Sequence, residues 1–328
     1  MGALPENEAK PVAAEIMHTV DTADLKGIAK VDIDDVIDYV HQGLERLPDP
    51  MSLYSLYLKQ RWNVDDLDFS QDRRDWNERI SEAEKQSFLA IASGFHHGER
   101  QVEVDLVPFM LGGTDEEKVF ITSQLEDEAR HTVFFDRFYK QVVGLEGETI
   151  MDVLDGSWQH VSETFSGAFG LLAYLGDALK RDPEDPSLRV RFATNYMLWI
   201  EGVLALSVQK ITLGYCRKRG ILPAYYTGFN ATTRDESRHV QFGLKILHTA
   251  VHEDPRLVKD VHDVLRTLLR MNGAVSRTVT YEPLGWDREG VRALFASQLK
   301  RKVHAIGVEL SPDLQAMVAK MEPEMAGG

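Results

Sequence analysis

Apolar residues recur at helical spacing along most of the chain. In segment 32–47 they occupy one face of a predicted helix: Ile33, Val36, Ile37, Val40 and Leu44. Similar periodicity, interrupted by glycines, prolines and polar loops, predicts further helices over about 81–110, 114–143, 150–180, 187–218, 223–252, 256–275 and 287–305. The pattern therefore predicts an all-α protein.

Local signals predict where the first two long helices begin. Ser81 is followed three residues later by Glu84, and Thr114 by Glu117. Each pair fits a capping box, in which the hydroxyl and the carboxylate satisfy each other's backbone N–H groups.

Four parts are expected along the chain. They are a flexible arm at 1–20, an N-terminal helix and ordered arm at 21–80, a bundle domain at 81–310 and a C-terminal tail at 311–328. Pro48 and Pro50 are expected to end the first helix, and the stretch up to residue 80 is expected to be irregular. Within the bundle, Gly167 or Gly170 is the candidate break in the helix that begins near 150.

Composition narrows the class of protein. A hydrophobic content of 43% in 328 residues supports a substantial core, and a formal net charge of −15 argues against nucleic-acid binding. Cys216 is the only cysteine, so no intrachain disulfide forms. The N-terminus has no apolar signal-peptide core, and no run approaches the roughly 18 apolar residues of a membrane span. A soluble, cytoplasmic protein is expected.

The most informative motif is a pair of Glu-x-x-His sequences. Residues three apart lie on one helix face, so the Glu and His of each copy can reach the same metal ion. Each copy also has a lone Glu upstream on another predicted helix. The six candidate metal ligands are Glu99, Glu128, His131, Glu201, Glu236 and His239. Four carboxylates and two imidazoles are typical of a dinuclear site inside a four-helix bundle.

Residues next to the candidate ligands support or complicate the ligand assignment. Glu201 lies in the otherwise apolar run YMLWIEGVLALSV, where a buried carboxylate would need a cation. Glu103 and Asp105 compete with Glu99 for the ligand position on the same helix. Asp235 is a candidate to orient a ligating His, with an exposed charge as the equal alternative. Glu126 and Asp127 are expected to face solvent or to support the ligands, and His96 to be structural.

The donor types indicate which metals fit. Oxygen-rich ligands with one imidazole per ion suit iron and manganese, whereas softer metals would require a cluster of thiolates. Open coordination positions at such a site bind and activate O₂. The sequence therefore favours an O₂-dependent oxidoreductase.

These residues resemble the ribonucleotide reductase small-subunit superfamily of ferritin-like di-metal carboxylate proteins. Within it, the chain is most similar to ligand-binding oxidases with a mixed manganese–iron centre. The landmarks are RWNVDDLDFSQDRRDW (61–76), HGERQVEVDLVPFM (97–110), EDEARHTVFF (126–135), TNYMLWIEGVLAL (194–206) and RDESRHVQFG (234–243). The resemblance implies a ferritin-like four-helix bundle core with additional helices.

The resemblance also implies how the metals are held. The manganese-preferring site is expected at Glu99, Glu128 and His131. The iron-preferring site is expected at Glu201, Glu236 and His239. Two iron ions are the alternative loading.

Two further positions match the oxidase branch, whose members form an ether cross-link between a Tyr and a Val beside the metals. Tyr196, five residues before Glu201, matches the tyrosine, and Val102, three residues after Glu99, matches the valine. The same resemblance implies a long-chain fatty acid or similar apolar ligand near the metals, and a homodimer. His96, His97 and the N-terminal 50 residues depart from the oxidase pattern, so pocket shape and substrate stay open.

Two other functions remain as alternatives. The first is a reductase small subunit of the type that lacks the radical tyrosine, because Phe135 occupies the position of that residue, four after His131. The C-terminal MEPEMAGG also lacks the tyrosine-bearing tail of such subunits. The second is a non-enzymatic protein that stores metal or binds a fatty acid.

Overall fold

The computed structural model describes residues 13–161, 163–275 and 281–322, and within these ranges it contains helices and no strand. The predicted all-α class is confirmed. The α-helices are α1 Ala13–Thr22, α2 Leu25–Ile28, α3 Ile33–Leu44, α4 Pro50–Gln60, α5 Ser70–Glu78, α6 Glu82–Leu111, α7 Asp115–Phe138, α8 Ile150–Ser157, α9 Glu163–Leu179, α10 Pro186–Ala193, α11 Leu206–Arg219, α12 Pro223–Glu253, α13 Val258–Val275, α14 Arg288–Ala305 and α15 Pro312–Ala319.

Both predicted capping boxes form. The backbone N–H of Ser81 donates to the Glu84 carboxylate at 2.6 Å, and the Glu84 N–H donates back to the Ser81 hydroxyl at 3.4 Å. Thr114 and Glu117 make the same reciprocal pair at 3.1 and 3.3 Å. These contacts fix the first turns of α6 and α7, the helices that carry half of the candidate ligands.

A ferritin-like bundle core lies among α6, α7, α12 and the helix that runs from α10 into α11. Helix α6 packs along α7, and α12 packs along the segment between α10 and α11. Aromatic pairs join these helices: Phe109 stacks on Phe192 with ring centroids 5.0 Å apart, and Phe120 lies 4.6 Å from Phe242. The predicted bundle with additional helices is confirmed.

The segment Thr194–Ala205, which joins α10 to α11, is π-helical. The sequence predicts one regular helix over 187–218 and misses this widened stretch. A second π-helical turn, Tyr139–Val143, extends α7. Because Gly243 has no side chain, α12 can approach the widened segment closely; a Cβ at Gly243 would overlap the Cβ of Met197.

The N-terminal part is more regular than the sequence indicates. The expectation of irregular structure up to residue 80 is wrong, because α4 and α5 occupy much of it. Pro50 lies in the first turn of α4, where proline is tolerated, and Asp49 caps this turn by accepting the N–H of Ser52. The expected flexible arm at 1–20 falls partly outside the described residues, and its described part belongs to α1, where Val20 is buried.

Two other expectations differ from the structure. The helix predicted near 150–180 is interrupted by a 3₁₀ turn at Trp158–His160, and α9 continues through both Gly167 and Gly170. The predicted C-terminal tail contains α15, which buries Leu314 and Val318. Residues 323–328, expected to be frayed, lie outside the described ranges.

The continuous helix Pro186–Arg219 is long and apolar enough to cross a membrane by composition. However, 72% of its most apolar window is buried inside the protein. Its apolar character is therefore accounted for by its place at the centre of the bundle.

Candidate metal centre

The six predicted ligand residues converge at the centre of the bundle. Donor atoms form two groups, and within each group all of them lie within 4.8 Å of one another. One group consists of Glu99, Glu128, His131 and Glu236, and the other of Glu128, Glu201 and His239. The four carboxylates are at most 6% exposed, and both imidazoles are fully buried. Chain segments far apart in sequence thus form one compact cluster of carboxylate and imidazole donors.

Two glutamates lie between the halves of this cluster. The oxygens of Glu128 lie 3.3 Å from His239 Nδ1 and 3.7 Å from His131 Nδ1. Those of Glu236 lie 3.6 Å from His131 Nδ1 and 3.4 Å from His239 Nδ1. Each of these glutamates therefore presents one oxygen to each imidazole, so the arrangement differs from a division into two separate sets of three residues.

The other two glutamates each approach one imidazole only. Glu99 Oε2 lies 3.9 Å from His131 Nδ1, and Glu201 Oε1 lies 3.5 Å from His239 Nδ1. The competing candidates bond elsewhere: Glu103 accepts the hydroxyl of Thr132 at 2.7 Å, and Asp105 accepts the amide of Gln101 at 2.9 Å. Glu99 is thus the carboxylate of α6 that reaches the cluster.

Several buried polar atoms of the cluster have no hydrogen-bond partner within the described ranges. They are His131 Nδ1, His239 Nδ1, Glu201 Oε2 and Glu236 Oε2. A buried polar atom without a partner costs on the order of 1–3 kcal/mol. Unpartnered atoms of two imidazoles and two carboxylates in one buried cluster match the donor set of a carboxylate-bridged pair of divalent ions. The residues present therefore fit such a pair.

The electrostatics of the cluster agree with this fit. Burial, reinforced by the charge of Glu236, raises the pKa of Glu201 to about 8, and burial with the charge of Glu128 raises the pKa of Glu99. Burial opposes protonation of His131 and His239, yet the surrounding carboxylates raise both imidazole pKa values well above the usual range. Without cations the centre thus retains protons, which metal binding has to displace.

The outer nitrogens of the two imidazoles are held crosswise by aspartates. His131 Nε2, on α7, lies 3.3 Å from Asp235 Oδ2 on α12. His239 Nε2, on α12, lies 3.1 Å from Asp127 Oδ2 on α7. Each aspartate thus fixes the ring on the opposite helix and turns its Nδ1 inward. Asp127, for which the sequence left a solvent-facing position open, is buried.

Two arginines tie these aspartates together. Arg238 donates to Asp127 at 2.8 Å and to Asp235 at 2.9 Å. Arg130 contacts Asp127 and donates to Asp235 at 3.1 Å. The indole N–H of Trp62 donates to the same Asp235 at 2.7 Å. The sequence contains a signal for this network, since the Asp-Glu-x-Arg-His pattern occurs twice, as DEARH and DESRH.

A phenol and an amide border the cluster. The Tyr196 hydroxyl donates to Glu128 Oε1 at 2.8 Å. Gln124 Nε2 lies 3.0 Å from the Tyr196 oxygen and 3.2 Å from Glu201 Oε1. Sequence reasoning missed Gln124, although its place one turn before Glu128 on a predicted helix was a usable signal.

The remaining candidates are all buried. Val102 is buried and belongs to the same apolar cluster as Tyr196. Phe135 is fully buried and stacks on Phe95 with ring centroids 5.6 Å apart. His96 is fully buried and stacks on Tyr139 at 5.8 Å.

Comparison with known proteins agrees with these observations. A profile of the ribonucleotide reductase small-chain family matches residues 46–293. A glycine-to-phenylalanine mutant of an R2-like ligand-binding oxidase, with an anaerobically reconstituted Mn/Fe cofactor, is 28% identical. The alignment covers 77% of this chain and 92% of the oxidase, with a TM-score of 0.65. Another structure of an R2-like ligand-binding oxidase, with an aerobically reconstituted metal cofactor after photoconversion, is 25% identical. Its alignment covers 83% of this chain and 90% of that oxidase, with a TM-score of 0.62.

Proposed function

The chain belongs to the ribonucleotide reductase small-chain family and is an oxidoreductase with a di-metal centre, and within this family we propose that it is an O₂-dependent oxidase. The proposed cofactor is one manganese and one iron ion per chain, with two iron ions as the alternative. The observation that carries the proposal is the pair of inward-facing imidazole nitrogens separated by the shared carboxylates of Glu128 and Glu236.

The six residues are proposed to have different roles. Glu128 and Glu236 would be shared by both ions. The manganese-preferring half would be completed by Glu99 and His131. The iron-preferring half would be completed by Glu201 and His239. Once bound, such a pair of ions would supply electrons for the reduction of O₂ and oxidising power inside the bundle.

Two residues near the candidate ligands are the proposed target of this oxidation. Tyr196 presents its hydroxyl to Glu128, which can accept the phenolic proton when the phenol is oxidised. Val102 lies one turn from Glu99 on α6 and supplies an aliphatic C–H group. We propose that the Tyr196 oxygen and the Val102 side chain become joined in an ether cross-link. The hydrogen bond that places the phenol against a candidate ligand supports this step.

A long-chain fatty acid or a similar apolar molecule is the proposed ligand. The compared oxidases are ligand-binding proteins, and here Val102 and Tyr196, near the candidate ligands, belong to the large apolar core cluster. A carboxylate head group would suit open coordination positions on hard cations. The physiological substrate is expected to share this apolar character.

One observation is compatible with the reductase-subunit alternative. A hydrogen-bonded line connects the Trp62 indole through Asp235 to His131. An oxidisable indole joined to a metal ligand offers an electron route that either function can use. The oxidase is preferred because Tyr196 lies five residues before Glu201, the spacing that is typical of the cross-linking oxidases.

A homodimer is also proposed. Helix α6 exposes Val104, Val107 and Leu111 at positions spaced three and four apart, and adjacent α7 exposes Val119 and Val133. A row of exposed aliphatic residues on two packed helices is expected at an interface. A second copy of the chain is the proposed occupant, because this face belongs to the shared bundle and not to an added segment. We propose a cytoplasmic location for the dimer.

Reconstitution tests the proposed function directly. Metal-free protein loaded anaerobically with Mn(II) and Fe(II) and then exposed to O₂ is expected to retain about two metals per chain and to consume O₂. The Glu201→Ala variant should lose mainly the ion that Glu201 and His239 would hold. Retention of zinc alone, with identical metal content in the variant, would reject the di-metal oxidase and leave simple metal or ligand binding. Support of ribonucleotide reduction after addition of a large subunit would instead favour the reductase alternative.

A further inference from the structure

Gln124 lies inside the candidate centre without being a candidate ligand. It is fully buried on α7, one turn before Glu128. Its Nε2 lies 3.0 Å from the Tyr196 oxygen, 3.2 Å from Glu201 Oε1 and 3.5 Å from Glu128 Oε1. Two of these three atoms belong to candidate ligand carboxylates, which are ionised when they hold a cation and then only accept hydrogen bonds. The NH₂ group, and not the carbonyl, therefore faces the centre.

This orientation fixes the hydrogen bonds of its neighbours. Because the Tyr196 oxygen accepts from Gln124, its own proton points at Glu128 Oε1, 2.8 Å away. The amide also occupies Glu201 Oε1, whereas Glu201 Oε2 has no hydrogen-bond partner in the described part of the chain. Glu201 thus has one oxygen engaged by an amide and one free oxygen.

The other half of the centre lacks this amide. In the second Asp-Glu-x-Arg-His segment, the residue that corresponds to Gln124 is Thr232, four residues before Glu236. Thr232 is fully buried, and its hydroxyl has no hydrogen-bond partner among the residues described. The polar contacts of Glu99 within those residues are to His131 and Glu128. The repeated motif thus gives two halves with the same ligand types and different hydrogen-bond donors.

We infer that Gln124 is a positioning residue that makes the two halves of the centre chemically unequal, by leaving Glu201 a single free oxygen and aiming the Tyr196 hydroxyl at Glu128. This inference rests on the proposed di-metal function. A donated hydrogen bond withdraws electron density from a carboxylate, and an occupied oxygen disfavours two-oxygen coordination. A divalent ion beside Glu201 and His239 therefore meets weaker oxygen donors than an ion beside Glu99 and His131.

Anaerobic titration of metal-free protein with Mn(II) alone tests this inference, with free Mn(II) measured by electron paramagnetic resonance. Wild-type protein is expected to bind two ions per chain with clearly separated affinities. Gln124→Leu keeps the approximate size of the side chain and removes the amide. The dissociation constant of the more weakly bound Mn(II) should therefore fall by about tenfold, the effect of roughly one hydrogen bond to a charged group. Thr232→Val is the matched control at the corresponding position and should leave the titration unchanged.

A second measurement reports on positioning in the metal-free protein. The Raman doublet of Tyr196, obtained as the difference from Tyr196→Phe, should change in Gln124→Leu from that of a phenol that accepts and donates to that of one that only donates. If the leucine variant does not fold, the unbranched Gln124→Met serves the same purpose.

The outcomes separate the inference from the function on which it rests. Equal affinities in the wild type, an unchanged titration in Gln124→Leu, or the same shift in Thr232→Val would overturn the role of Gln124. Wild-type protein that binds no Mn(II) would instead reject the di-metal function.

Discussion

Tyr196 and Glu201 are five residues apart, and both hydrogen-bond to the amide of Gln124. In an α-helix of about 3.6 residues per turn, five residues correspond to about 1.4 turns, so the two side chains would point in different directions. Both residues lie in the π-helical segment Thr194–Ala205, whose i→i+5 hydrogen bonds place residues five apart nearly in line. The widened helix therefore brings a phenol to the same side as a candidate metal ligand.

The crossed aspartate–histidine pairs predict a selective loss of metal. Asp127→Asn removes the charged acceptor that holds His239, so the half with Glu201 and His239 should bind its ion about 10- to 100-fold more weakly. Asp235→Asn should weaken the half with Glu99 and His131 in the same way. Metal content after dialysis measures both effects. Glu126→Gln is the control, because Glu126 contacts the same Arg130 without touching an imidazole. Loss of the same ion in both asparagine variants would contradict the crossed arrangement.

Which structural features could be predicted from the sequence depends on the kind of interaction that produces them. Helices with strong periodicity, the two capping boxes and the two Glu-x-x-His pairs followed from spacing within single chain segments, and the repetition of that pair indicated the shared cluster. The crossed contacts of Asp127 and the donation from Gln124 to Glu201 depend on how separate helices pack, which spacing does not specify. The π-helical segment was missed because its apolar residues fit a regular buried helix equally well. Pro50 was misassigned because proline is compatible both with a helix end and with a first turn.

A buried lysine predicts how stability depends on pH. Lys302 is fully buried, contacts Gln298, and forms no ion pair with a carboxylate of the described residues. Burial, with a small contribution from Arg301, lowers its pKa from 10.5 to about 7. Between these two pH values the unfolded chain binds a proton that the folded chain does not, so the free energy of unfolding should fall as the pH falls from about 10 towards 7.

Lys302→Met should remove this dependence. The apolar side chain has a similar length, so the free energy of unfolding at pH 7 should rise by on the order of 4 kcal/mol. Denaturant unfolding of metal-free wild type and variant at several pH values measures the difference. A variant that is equally destabilised at pH 7 and pH 10 would show that the ammonium group makes a necessary structural contact.

The exposed aliphatic face predicts the oligomeric state. Val107→Glu places a charge in the row that includes Val104 and Leu111, and a desolvated charge strongly disfavours association. The variant should be monomeric by light scattering, whereas Leu58→Glu, at an exposed leucine on α4, should remain dimeric. A monomeric wild type, or a dimer that tolerates Val107→Glu, would exclude this face as the interface.

The aromatic residue beside His131 predicts the absence of a radical. Phe135 is fully buried against Phe95 and Phe229 and has no hydroxyl to oxidise. After metal loading and exposure to O₂, electron paramagnetic resonance should detect no stable tyrosyl radical. Phe135→Tyr supplies a phenol at that position as a positive control. A persistent tyrosyl signal in wild-type protein that also survives Tyr196→Phe would favour the reductase alternative.

The position of Tyr196 makes the proposed cross-link testable at atomic detail. Joining its oxygen to the Val102 side chain removes the phenolic hydrogen and one aliphatic hydrogen, together with two electrons. Reduction of O₂ to two waters takes four electrons and four protons. Forming this bond releases two of each, the two divalent ions would supply the other two electrons, and solvent would supply the other two protons. Glu128, which accepts the Tyr196 hydrogen bond at 2.8 Å, is placed to receive the phenolic proton. Peptide mass spectrometry should therefore detect the two peptides joined, with two hydrogens missing, only after aerobic metal loading. Tyr196→Phe should abolish the joined species while metal content stays at about two per chain. If loaded, air-exposed wild-type protein yields only separate peptides, the di-metal centre can stand, but the placement among cross-linking oxidases cannot.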